Sequence, residues 1–182
     1  YIISMANMRT LQIATFGSDG QDGIALGIRS FSVHKLALIC FSSDKNRAGD
    51  FANKIRSVLG VPTTITIVTT ENVVRDTMES INEILNLHAK EFEQVLLNVS
   101  SGDKLIGCAA LSAAFINGIQ AFGMDDTHTV PLLMPVLKLS YNEIISEAKI
   151  KILKSINRAG GVIESLDQLE QISGYGKPLL SY

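Results

Sequence analysis

Residues 11–16, 35–41, 63–68 and 94–99 are short apolar or β-branched runs. Between them lie stretches whose apolar residues recur every three or four positions. This alternation constrains the chain more than any other feature. Strands separated by helices over short connections cannot pair as hairpins and must build crossover units, which are parallel and need helices on both faces. The run 35–41 (KLALICF) is nearly continuous in apolar residues, as a strand covered on both sides requires. Residues 63–68 (TTITIV) are β-branched throughout and read as a third strand.

The helices between them follow from spacing. Ala48, Phe51, Ala52, Ile55, Val58 and Leu59 share a face, and Gly60 ends that helix. Val74, Met78, Ile81, Ile84, Leu85 and His88 mark a second amphipathic helix, and residues 24–31 a shorter one. Residues 105–116 (LIGCAALSAAFI) are apolar nearly all round, which predicts a helix buried against a sheet or a partner chain. Residues 119–122 and 130–139 are further strand candidates, with Pro131 and Pro135 placing the last at an edge or breaking it. Residues 8–140 therefore read as one α/β domain, a Rossmann-like, mostly parallel sheet flanked by helices.

Residues 141–182 differ in character. Residues 145–159 predict a helix with Ala148, Ile152, Leu153 and Ile156 on one face and Lys149, Lys151, Lys154 and Arg158 around the rest, stopped by Gly160-Gly161. Ser165 stands three residues before Gln168, the spacing of a capping box. The helix 166–173 would turn Leu166, Leu169 and Ile172 inward and end at Gly174, with Tyr175 plugging the corner. A further helix starts near Lys177, with Pro178 in its first turn. The expectation is a small all-α, winged helix-turn-helix segment whose recognition helix is cut after about two turns. The bland alternative is a three-helix bundle that mediates dimerisation. Lys177 and Ser181 are the candidate DNA contacts.

Charge and cysteine usage narrow the function classes. Sixteen basic and 18 acidic residues leave a formal net charge of −2, so nucleic-acid contact would need a local basic surface. Cys40 and Cys108 both lie in apolar runs without zinc-ligand spacing, which points to a reduced, cytoplasmic protein. No apolar window is long enough to span a membrane. Residues 1–7 lack the basic start and long apolar core of a signal peptide. His34, His88 and His128 fall in separate segments, and Asp125-Asp126-Thr127-His128 reads as a polar turn, so no metal is expected. Gly17, Gly20, Gly23 and Gly27 match neither the dinucleotide fingerprint nor the P-loop, and no cofactor is expected.

The chemistry-bearing stretch is Asn98-Val-Ser-Ser-Gly-Asp-Lys104. It follows the fourth strand and opens a helix, where a doubly wound sheet places its ligands. Ser100, Ser101 and Gly102 offer hydroxyls and amide groups at a helix start, and Lys104 adds positive potential, a pattern suited to an anion. The loop Gly17-Ser-Asp-Gly20 should line the same edge. A strand ending in Asn-x-Ser-x-Gly-x-Lys before a small-residue helix, in an α/β domain followed by a winged helix, resembles the CARF (CRISPR-associated Rossmann fold) transcriptional regulators and related archaeal helix-turn-helix proteins. Where the commonest family form has a second glycine and a threonine, this chain has Ser101 and Asp103. The resemblance implies a homodimer that binds a cyclic oligoadenylate or another small anionic ligand across its axis, and double-stranded DNA through the winged helix. It carries the ligand contacts onto Gly17, Ser18, Asn98, Ser100, Ser101, Gly102 and Lys104. The sequence supplies no strong general base, so a sensor is expected rather than an enzyme. A ring nuclease that cleaves its own cyclic ligand and a ligand-free dimeric scaffold are the alternatives.

Overall fold

The computed structural model describes residues 9–88, 90–124, 130–136 and 146–180. Ser181 and the expected turn 125–128 lie outside them. The chain divides into two compact units, residues 1–138 and 139–182.

The first unit runs β1 (Thr10–Thr15), α1 (Gln21–Ser30), β2 (Val33–Phe41), α2 (Lys45–Leu59), β3 (Thr63–Val68), α3 (Val73–His88), β4 (Gln94–Asn98), α4 (Lys104–Asn117), β5 (Gln120–Gly123) and β6 (Leu132–Leu133). The sheet order is β3-β2-β1-β4-β5-β6. The first five strands pair in parallel, and β6 is antiparallel to β5. Of the described residues in the expected 130–139 strand, Leu132 and Leu133 pair with β5, and the prolines on either side have no N–H to give the ladder. The chain winds outward from β1 to β3, then returns to set β4 on the other side of β1. The switch point therefore lies between β1 and β4.

Strand alternation sorts the core into two layers. Leu11 and Ile13 of β1 join Ala37 and Ile39 of β2 under α3 and α4. Ala14 joins Leu36, Leu38 and Cys40 under α1 and α2. Burial of each large apolar side chain here contributes about 1.5–3 kcal/mol. The apolar character of α4 is explained by this packing: Ile106, Ala109, Ala110, Ala113 and Ala114 are buried, and their small size brings the helix close to the sheet. Its outer face keeps Leu105 and Cys108 exposed.

The second unit holds α5 (Glu147–Arg158), α6 (Leu166–Ser173) and α7 (Lys177–Leu180). Ser146 caps α5 through the Lys149 N–H. Ser165 caps α6, accepting from the Gln168 N–H at 3.2 Å. The return bond of the expected capping box goes one residue earlier, from the Glu164 N–H to the Gln168 side chain at 2.9 Å. Tyr175 is half-buried, with the Lys151 ammonium 5.1 Å from its ring centre. The expected inward face of α6 is not sealed: Leu166 is 48% and Ile172 39% exposed. The described helices of this unit, of 12, 8 and 4 residues, bury no large apolar side chain among their described residues.

Candidate functional site

The loops that follow β1 and β4 leave the switch point together, at the carboxyl ends of the strands. They are stitched to each other by backbone contact that only glycine permits. A Cβ on Gly17 would sit 2.7 Å from the Gly102 Cα, and one on Gly20 would sit 2.2 Å from the Ser100 carbonyl oxygen. Gly20 also has φ 69°, which disfavours any side chain.

Hydrogen bonds fasten the same seam. The Ser101 hydroxyl donates to the Asp19 carbonyl and accepts from the Gly17 N–H at 3.1 Å. The Thr15 hydroxyl donates to the Ser101 carbonyl. Asn98, fully buried at the end of β4, donates through Nδ2 to the Gly23 carbonyl of α1 at 3.2 Å. Its Oδ1 accepts from the Ser100 N–H at 2.9 Å and from the Ser100 hydroxyl. The Ser100 Oγ in turn accepts from the Met124 N–H at 2.8 Å, beyond β5. One amide side chain thus ties together three segments of the carboxyl edge.

The expected ligand residues divide by this accounting. Asn98 and Ser101 are buried and hydrogen-bonded within the protein, Gly17 is buried against Gly102, and the Ser100 hydroxyl is engaged on both sides. Ser18 and Lys104 are exposed, and Gly102 is half-exposed with φ 100°. The structure brings Gly17, Ser18, Ser100, Ser101, Gly102 and Lys104 to one edge. Asp103 is the N-cap of α4, its carboxylate accepting from the Leu105 N–H at 2.7 Å.

An open groove of about 650 Å³ adjoins the start of α4, lined by Thr70, Asn72, Val74, Arg75 and Leu105 among others. From the sequence, Val74 reads as a helix residue and residues 70–75 carry no ligand role, although they too follow a parallel strand and so belong to the carboxyl edge. Asp76 fixes this wall: the Thr69 hydroxyl and then the Thr69 N–H hold its carboxyl below the usual range. No group of metal-ligating side chains occurs among the described residues. None of their helices is long and apolar enough to cross a membrane.

No known family's sequence pattern matches the chain. No curated protein matches it in sequence either. Solved structures do match in fold. A type III CRISPR defence DNA nuclease activated by cyclic oligoadenylate superposes with a TM-score of 0.57 at 13% identity, over 94% of this chain and 31% of the nuclease. Can2 from Sulfobacillus thermosulfidooxidans, in complex with cyclic tetra-adenylate, gives 0.54 at 15% identity, over 92% and 58%. Csm6 from Enterococcus italicus, bound to cyclic hexa-2'-fluoro-hexa-dAMP, gives 0.59 at 13% identity, over 96% and 55%. The first unit has the Rossmann-like CARF fold. The chain spans 31–58% of the length of these three proteins, and at such identities the likeness is one of fold.

In the second unit, Lys177 is exposed but forms an ion pair with Asp167. The hydrogen bond and charge of that carboxylate raise its pKa. Lys149, Lys151, Lys154 and Arg158 of α5 are all exposed.

Proposed function

We propose that the first unit is a sensor for a cyclic oligoadenylate, bound at the carboxyl edge beside the β1–β4 switch point. The observation that carries this reading is the convergence of the 17–20 and 98–104 loops at that point, where open α/β sheets take their ligands. The ligand class is supported by the CARF fold, whose solved examples above include two with bound cyclic oligonucleotides. Lys104 supplies the charge, and Ser18 and the Gly102 backbone the nearest polar contacts. The protein acts as a homodimer: the outer face of α4 has no charged residue between Leu105 and Ile116, a composition suited to burial against a second copy.

The second unit delivers the output. Its four exposed basic residues on α5 suit a phosphate backbone, so the regulator reading places DNA contact there, with Lys177 available only once it leaves Asp167. Sensing is favoured over cleavage because the hydroxyls of Ser100 and Ser101, which a ring nuclease would use, are already engaged by Asn98, Met124, Asp19 and Gly17. The test is calorimetric titration of the chain with cyclic tri-, tetra- and hexa-adenylate, alongside Lys104→Ala. One of the three should bind, and stabilise by about 2.7 kcal/mol at a hundredfold excess over Kd. The variant should bind at least about tenfold more weakly, a loss of about 1.4 kcal/mol. Absence of binding by all three ligands would overturn the reading.

A further inference from the structure

The loop 17–20 also leads into a second, smaller groove. It measures about 270 Å³ and lies between α1 and α2, lined by Gln21, Asp22, Arg47, Asp50, Phe51 and Lys54. Both ends of the loop are fastened to it. Gln21 follows Gly20 directly and opens α1. Phe51 is buried and packs on Phe16, the residue before Gly17, with ring centres 5.5 Å apart. Sites that enclose a whole small molecule run to about 300–1,000 Å³, so this groove suits one group of a larger ligand. Its charge disfavours a phosphate. Asp22 and Asp50 offset Lys54 and Arg47, and Arg47 is already ion-paired with Asp44. A neutral group with donors and acceptors side by side suits it better. The Gln21 amide reaches the Gly17 carbonyl only at 3.5 Å, the limit of a hydrogen bond, and is open to a closer partner.

We propose that this groove is a base subsite: it holds one adenine of the cyclic oligoadenylate while the phosphates lie on the 17–20 and 98–104 loops. The proposal rests on the reading of that edge as the ligand site. Adenine presents an exocyclic amine beside a ring nitrogen, a donor next to an acceptor. A side-chain amide matches that pair with two hydrogen bonds, its oxygen accepting from the amine and its NH2 donating to the ring nitrogen. Gln21 supplies the amide, next in sequence to the loop that meets the phosphates. The carboxylates of Asp22 and Asp50 suit the second hydrogen of the amine and repel a carbonyl in its place. Phe51 gives the base an apolar surface. Gln21 is thus a specificity-determining residue that reads the base, whereas Lys104 acts on charge.

The probes are cyclic tri-, tetra- and hexa-adenylate and their inosine counterparts, in which a carbonyl replaces the amine. Each is titrated into the wild-type chain, into Gln21→Ala, and into a double variant carrying Asp22→Asn and Asp50→Asn, with melting of all three as a check on folding. The wild-type chain should bind its adenylate at least about tenfold more tightly than the inosine form, the worth of one well-placed amide pair. Gln21→Ala should lose most of that preference through weaker adenylate binding. The double variant should lose it through tighter binding of the inosine form. Equal binding of the two forms by the wild-type chain overturns the proposal and leaves the sensor reading in place. An unchanged preference in both variants does the same. So does a loss at Gln21→Ala that falls equally on both forms, which would make Gln21 a support of the loop. Binding of no adenylate by the wild-type chain overturns the sensor reading, and the subsite with it.

Discussion

The two units bury different things. In the first, Leu11, Ile13, Phe16, Leu36, Leu38, Ile39 and Leu97 are sealed at 0–1% exposure between two helical layers. In the second, the only described residue that is buried is Ser173, while Leu153, Val162, Leu166 and Ile172 remain 39–73% exposed. The difference lies in architecture rather than composition. A parallel sheet offers two faces, and each helix laid on it closes part of a shared core. The described helices of the second unit are short and leave their apolar stripes largely exposed. The first unit is expected to unfold cooperatively with a large surface change. The second is expected to open at much lower cost.

The largest test of that contrast uses glycines of matched backbone. Gly20, Gly60 and Gly174 have φ of 69°, 69° and 72°. A Cβ on Gly20 would collide with the Ser100 carbonyl, whereas the other two face open space. Gly20→Ala combines backbone strain with overpacking and should cost about 3 kcal/mol or more. Gly60→Ala, in the same unit, carries the strain alone and should cost about 1 kcal/mol. Gly174→Ala should shift only the weak transition of the second unit. Urea unfolding followed by circular dichroism reads all three. Equal losses at Gly20 and Gly60 would show that the two loops are not locked together.

Asn98→Ala comes next. It removes the acceptor of the Ser100 N–H and the donor to the Gly23 carbonyl inside a closed edge. Leaving such groups unpaired costs about 1–3 kcal/mol each when buried, so a loss of about 2–3 kcal/mol is expected after partial relaxation. No comparable polar bracket occurs among the described residues of the second unit, where Ser165→Ala should cost only about 1 kcal/mol as a lost cap. A loss at Asn98 no greater than that at Ser165 would mean the carboxyl edge relaxes as freely as a surface helix.

Much of the first unit was legible from the chain. Residues 63–68 are β-branched, and β3 spans the same residues; Gly60 ends α2 at the residue its helical period predicts. Patterning at periods of 2 and 3.6 carries that information directly. The meeting of the 17–20 and 98–104 loops at one edge was legible, the partners of their side chains less so. Asn98, Ser100 and Ser101 were expected as ligand contacts because hydroxyls and amides beside a helix start suit an anion. A sequence does not say which partner a hydroxyl takes, and here the partners are other parts of the same edge. The inward face expected for Leu166 and Ile172 failed for a related reason. Period predicts which residues align on a helix, but whether the stripe is covered depends on how much surface stands opposite.

Cysteine chemistry gives the smallest effect and isolates one unit from the other. Both thiols belong to the first unit: Cys40 is buried in β2 and Cys108 exposed on α4. Burial, with the nearby Asp44 carboxylate, pushes the Cys40 thiol up to about 11. An unfolded chain releases that proton near pH 8.5. Between those values the folded state holds a proton that the unfolded state has lost, so this residue's contribution to stability falls as pH rises from about 8.5 to about 11 and is complete below that window. At pH 8 a thiol reagent should reach Cys108 whenever the outer face of α4 is free of its partner copy, and Cys40 only through opening of the sheet. With increasing urea, the helical signal of the second unit should be lost before Cys40 becomes reactive. Labelling of Cys40 in step with that early loss would show that the two units unfold as one, and would erase the contrast between a sealed core and an open one.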